Sequence, residues 1–171
     1  MPHPLVLALF DNAAAAAAAA RDLRGLGVPR ERVSIVARSH DEEGRLAKAS
    51  GGSPGSEMED SAPASRLGEL GGHLLAAIAL VMPGIGPIVA DGPLAAELGE
   101  AAGHLAGGMT RTLEDAGLSK DEAATWQADI ERGSVLIGAH VTADAVEPAR
   151  SAMTAAGAVR VAEGIWDRSR K

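Results

Sequence analysis

Apolar positions fall in short blocks at both ends of the chain, and between the blocks run alanine-rich stretches that end at glycine. Pro4 to Phe10 is an apolar run of strand length. Asp11 follows, a residue able to cap a helix by accepting backbone N–H bonds, and then alanine without interruption from Ala13 to Ala20. Alanine has the highest helix propensity because it loses no side-chain entropy. The run therefore predicts a helix that stops near Gly25 or Gly27, where glycine can take positive φ. Arg32 to Arg38 (RVSIVAR) predicts a second strand. The same order returns near the C-terminus, with a strand over Ser134 to Val141, a helix over Ala143 to Ala156 ended by Gly157, and a strand over Val159 to Ile165. Each end is thus a β-α-β unit, and the pair reads as an internal repeat of about 30 residues. The expected class is α+β: two β-α-β halves forming a ferredoxin-like sheet with their helices on one face, and a Gly/Ala-rich helical segment inserted between them.

The middle of the chain divides in two. Residues 39–65 are rich in Gly, Ser, Pro and acidic side chains (GGSPGSEMEDSAPAS). Such a stretch cannot bury enough apolar surface to offset its ordering entropy, so it is expected to be a flexible linker. Residues 66–133 follow. Leu70 to Ala90 carries no formal charge and contains Pro83-Gly84-Ile85-Gly86-Pro87, which no continuous helix tolerates. The expectation is a helix from about Arg66 to Met82, a proline-glycine bend, and a longer helix opening at Pro93, since proline suits a first turn. Ser119 and Glu122 have capping-box spacing, so a further helix should run to Glu131 and stop at Gly133. The organisation is then 1–38, a linker over 39–65, a central helical segment over 66–133, a second β-α-β half over 134–166, and a basic tail over 167–171.

Composition narrows the picture. Hydrophobic residues make up 46% but aromatics only 2%, so the core is built from small and aliphatic side chains. Each contact then buries little area and many are needed. Trp126 is expected to anchor its helix to the core and Trp166 to cover a sheet edge. A net charge of −7 argues against nucleic-acid binding, and Arg168, Arg170 and Lys171 are too few to reverse that. The absence of cysteine excludes disulfides, thiolate metal sites and cysteine nucleophiles. The N-terminus lacks the charged region of a signal peptide, which makes the cytoplasm the expected location.

Two constellations stand out in the central segment. Ala95, Gly99, Gly103 and Gly107 recur every four residues and line one helix face. Such a ridge admits a close neighbour, either a second copy of the chain or another helix of the same chain. A four-stranded sheet covered on one face by its own helices leaves the other face and the inserted helices in need of cover, and a like subunit is the simplest partner. Charges on the same helix make a membrane-embedded hairpin costly, and Leu70 to Met82 is too short to span, which leaves peripheral contact through the apolar bend. The second constellation is Glu69 and His73 on one helix with Glu97, Glu100 and His104 on the next. Folded back about the bend, these could converge as metal ligands, although Glu and His on a half-exposed face are more often solvated or paired with each other. Enzyme motifs are absent, with no G-x-x-x-x-G-K-[ST] and no G-x-S-x-G. His140, inside an expected strand, reads as a structural or sheet-face residue. No catalytic residue and no cofactor is expected.

The opening strand with Phe10-Asp11, the alanine-rich helix, the Pro83-Gly84-Ile85-Gly86-Pro87 bend and Gly92-Pro93-Leu94 together resemble the bacterial general stress proteins of the heat-induced YflT type, including relatives with a long small-residue central segment. The resemblance implies a stress-associated role and supplies no catalytic residues. The reading is a non-enzymatic, stress-associated protein that self-assembles through its central helices. The alternatives are a small-ligand or metal-binding protein using the Glu/His faces, or a peripheral membrane-associated protein.

Overall fold

The computed structural model describes residues 1–39, 73, 77–82, 84–102 and 108–170. In chain order the elements are β1 (His3–Phe10), α1 (Ala13–Gly25), β2 (Val33–Arg38), β3 (Ile78–Met82), β4 (Gly86–Asp91), α2 (Pro93–Ala102), α3 (Gly108–Asp115), α4 (Lys120–Glu131), β5 (Val135–His140), α5 (Val146–Ala155) and β6 (Arg160–Trp166). The expected linker over 39–65 lies outside the described residues except for Ser39, which is buried and donates its N–H to Pro87 O at 2.9 Å.

The strands form one antiparallel sheet in the order β3-β4-β2-β5-β1-β6. Both β1 and β2 pair antiparallel with β5, so they run parallel to each other with β5 between them. This is how the two β-α-β units interleave: each leaves room for a strand of the other. β1 and β5 are buried on both faces because they lie inside the sheet, and an apolar run with little alternation is what that position requires.

Each face of the sheet has its own cover. Val6, Ala8 and Phe10 of β1 point to the face where α1 and α5 lie, and meet Ala13, Ala16, Ala17, Ala19, Leu23, Ala149 and Met153. Leu5, Leu7 and Leu9 point the other way, to Leu94 and Leu98 of α2, Met109 and Leu113 of α3, and Trp126 and Ile130 of α4. The inserted segment therefore covers the second face that the sequence left without a partner. The surplus of apolar surface that called for a like subunit is largely consumed within the chain.

Most helix ends follow the expected chemistry. α4 opens with the capping box, Ser119 and Glu122 satisfying each other's backbone N–H groups. Gly27, Gly133 and Gly157 take positive φ just past α1, α4 and α5. The cap of α1 is one residue later than expected: Asn12 Oδ1 accepts from Ala15 N at 2.8 Å, while Asp11 accepts from the Asn12 side chain.

The largest correction concerns residues 78–91. The helix expected to continue to Met82 is instead β3, and the proline-glycine bend is the loop of a hairpin with β4, paired from Ile78↔Ala90 to Met82↔Gly86. Met82 O accepts from Ile85 N at 3.1 Å, and Gly84 has φ +82°, a left-handed value that favours glycine. β-branched Ile78, Val81, Ile88 and Val89 favour a pleated strand, and a short uncharged run has no period that separates strand from helix. The helix opening at Pro93 is present, and the described part of that region holds two helices, α2 and α3, with 103–107 between them outside the described residues.

Candidate functional site

Polar groups buried in an apolar core are informative, because they cost free energy unless satisfied. Two of them, Ser34 on β2 and His140 on β5, lie on the sheet face covered by α2 to α4 and are fully enclosed, at 0% and 1% exposure. They belong to a hydrogen-bonded chain across the sheet. His3 Nδ1 lies 3.2 Å from Met1 O, His3 Nε2 lies 3.0 Å from His140 Nδ1, His140 Nε2 lies 3.1 Å from Ser34 Oγ, and Leu94 N donates to Ser34 Oγ at 3.0 Å. Trp166 closes the cluster with its ring edge-on to His140, centroids 5.2 Å apart.

With a neutral His3, one end of this chain fixes the protons along all of it. A carbonyl can only accept, so His3 places its proton on Nδ1 toward Met1 O. Neutral His3 then accepts at Nε2 from His140 Nδ1–H. His140 Nε2 in turn accepts the Ser34 hydroxyl proton, and a Ser34 lone pair takes the Leu94 N–H in the first turn of α2. Burial first, then the positive charge of His3 whenever that ring is protonated and the charge of Arg32, lowers the His140 pKa to about 3, so His140 stays neutral near pH 7. The arrangement is that of a nucleophile with a base and an orienting group, but neither Ser34 nor His140 is open to a substrate. Its evident work is to tie β1, β2 and β5 to the start of α2.

Of the expected site residues, His73, Ala95, Glu97, Gly99 and Glu100 lie among the described residues. Ala95 is buried in the core, and a Cβ on Gly99 would lie 3.7 Å from Ile78 Cδ1, so this part of the small-residue ridge packs within the chain, beside β3. Gly103 and Gly107 lie outside the described residues, as do Glu69 and His104. His73 is half-buried and near Arg21, Arg24 and Arg30, and burial followed by those charges lowers its pKa. Glu97 is buried with its carboxylate 3.4 Å from Arg168 Nε, and Glu100 is exposed. The convergence of these groups rested on two helices folded back about a bend, and the β3–β4 hairpin takes the place of that geometry. Among the described residues no group of three or more His, Asp or Glu side chains is placed to hold a metal ion. Also among the described residues, no helix is long and apolar enough to cross a membrane.

Two surface features were not foreseen. An open groove of ≈ 430 Å³ lies between α4 and β6, lined by Asp121, Glu122, Thr125 and Trp126 on one side and residues 159–162 on the other. The other is β3, the strand at one end of the sheet. It is Ile-Ala-Leu-Val-Met, with Ile78 37% and Val81 59% exposed. A sequence clue existed for it, since β3 lies inside Leu70 to Ala90, the longest uncharged stretch of the chain. Comparison of the chain with protein-family models, with curated proteins and with solved structures finds no match in any of the three.

Proposed function

We propose that the chain is a non-enzymatic, stress-associated protein that works by associating with itself, and that its terminal units make up a ferredoxin-like sheet. The order β6-β1-β5-β2, with α1 and α5 on one face, supports the fold reading. The stress association rests on the sequence resemblance alone. The observation that carries self-association is the apolar, uncharged β3, which exposes Ile78 and Val81 at the end of the sheet. Natural proteins blunt such edges with charge, proline or a covering element, and an edge left bare invites a partner. The central segment remains the associating part, but its hairpin is a better surface than the glycine ridge, because Ala95 and Gly99 already serve packing inside the chain. The enclosure of Ser34 and His140 favours a role without catalysis.

Sedimentation equilibrium over a wide dilution series tests this reading. The expected result is an average mass that rises with concentration above that of one chain. A mass that stays at one chain throughout overturns it.

A further inference from the structure

We propose that β3 of one copy pairs antiparallel with β3 of a second copy, in register about Leu80, so that the sheet runs continuously through the dimer. This rests on the self-association reading above and names its interface.

The backbone sets the register. Within a strand, a residue's N–H and C=O point to the same side, and the side alternates along the chain. Pro87 of β4 has no N–H, and its carbonyl accepts from Ser39 N on the β2 side. Pro87 therefore faces β2, so Val81, directly opposite it on β3, sits in a pair that exchanges no hydrogen bonds. The N–H and C=O of Val81, and by alternation those of Ala79, then point away from β4, to the side where no described strand lies. Those of Leu80 point into the hairpin, toward Ile88. A two-fold axis through Leu80 sets Ala79 of each copy opposite Val81 of the other, and these are the residues with outward groups to exchange.

Side chains and charge agree with that pairing. Ala79 and Val81 lie on the sheet face of α1 and α5, yet neither belongs to the apolar cluster beneath those helices. In the dimer each small Ala79 meets a larger, exposed Val81. Two copies that each carry −7 repel, and a contact through the uncharged residues 78–90 brings no charges of its own together. A strand of this composition also needs no partner of different sequence, because antiparallel pairing makes it complementary to itself. The contact is short compared with a stable interface, so the dimer should depend strongly on concentration.

Cysteine placement tests the register, since the chain has no cysteine of its own. Leu80→Cys puts a single thiol beside the two-fold axis. There, facing Cα atoms in a pair without mutual hydrogen bonds lie about 4.5 Å apart, within the roughly 4.4–6.8 Å that a disulfide spans. Under mild oxidation the variant should become a covalent dimer, and Ala79→Cys should do so about tenfold more slowly, because its thiol faces residue 81 of the other copy. Adding Val81→Lys to Leu80→Cys should abolish the cross-link while leaving the circular dichroism unchanged. A wild type that sediments as a dimer while Leu80→Cys fails to cross-link overturns the β3 interface and leaves self-association standing. A wild type that is monomeric removes both. If Leu80→Cys does not fold, Val81→Lys in the otherwise unchanged chain decides: loss of the dimer supports the pairing, and an unchanged mass overturns it.

Discussion

The two edges of the sheet are built in opposite ways. At β6, Arg160 is held by Asp129 of α4 at 2.7 Å, and Glu163 lies 3.4 Å from Arg150 of α5. The turn between α3 and α4 presses on the strand so closely that a Cβ on Gly164 would lie 1.9 Å from Ala116 O. Just beyond it Trp166 packs on His140. At β3 there is no charge, Val81 is exposed, and Ile78 is partly exposed beside Gly99. Charge and a covering turn are what keep a strand edge from pairing with another chain. One edge of the sheet is guarded, and among the described residues no strand or charge covers the other.

The strongest way to break the comparison is to add one carbon at each end. Gly164→Ala forces a side chain into the Ala116 carbonyl and should cost about 1–3 kcal/mol, toward the upper end because backbone must move. Gly99→Ala, beside β3, meets only Ile78 Cδ1 at 3.7 Å. In a helix interior it should stabilise by about 0.5–1 kcal/mol. Urea denaturation of both variants checks the contrast, and similar losses at the two sites would undo it.

The next effect concerns the polar chain at the β6 side of the sheet. His140→Phe keeps an aromatic ring against Trp166 but leaves the buried Ser34 hydroxyl without its acceptor, and should cost about 1–3 kcal/mol. Its pH signature is more specific. The folded-state pKa of His140 is lowered from 6.5 to about 3, so below pH 6.5 the unfolded chain binds a proton that the folded chain does not. That contribution to stability is complete above 6.5 and is lost as pH falls toward 3, with a slope of up to about 1.4 kcal/mol per pH unit. His73, also lowered, contributes with the same sign in both proteins. The difference between wild type and His140→Phe from pH 6.5 down to about 5, above most carboxylates, therefore isolates His140. Parallel curves for the two proteins would show that His140 is not held neutral.

The smallest expected change in fold stability sharpens the comparison from the other side. Arg160→Val with Glu163→Val removes two ion pairs whose Arg160 and Glu163 members are exposed, a kind worth about 0–1 kcal/mol, and the half-buried Asp129 keeps Arg132. It should leave the monomer folded while giving β6 an apolar edge. Sedimentation should then show species larger than the wild type assembly, because each copy would carry two pairing edges. An unchanged mass would mean that the turn over Gly164, rather than the charges, guards this edge.

Much of the frame was legible in the sequence because each signal was local. The alanine run, the Ser119/Glu122 box and the glycines after the helices specify α1, α4 and the ends of α5 within a few residues. β3 and β4 were not legible as strands, because Ile78 to Met82 has no polar position to reveal a period and the proline-glycine signal fits a helix break as well as a hairpin. That the inserted helices cover the second face depends on packing among Leu94, Met109, Trp126 and the leucines of β1, which no local pattern encodes. The Ser34–His140–His3 chain joins residues distant in sequence. Its clue was there, a polar residue in the middle of RVSIVAR and another at the end of VLIGAH, but only the strand order makes them neighbours.

Amide hydrogen exchange across β3 at increasing protein concentration tests the central claim most directly. The amides of Ala79 and Val81 point to the outer edge of the described sheet, while that of Leu80 points into the hairpin. The account predicts that Leu80 is protected at every concentration and that Ala79 and Val81 exchange fast when dilute and slow as concentration rises. Exchange at Ala79 and Val81 that is independent of concentration, whether fast throughout or already slow in dilute solution, would contradict it.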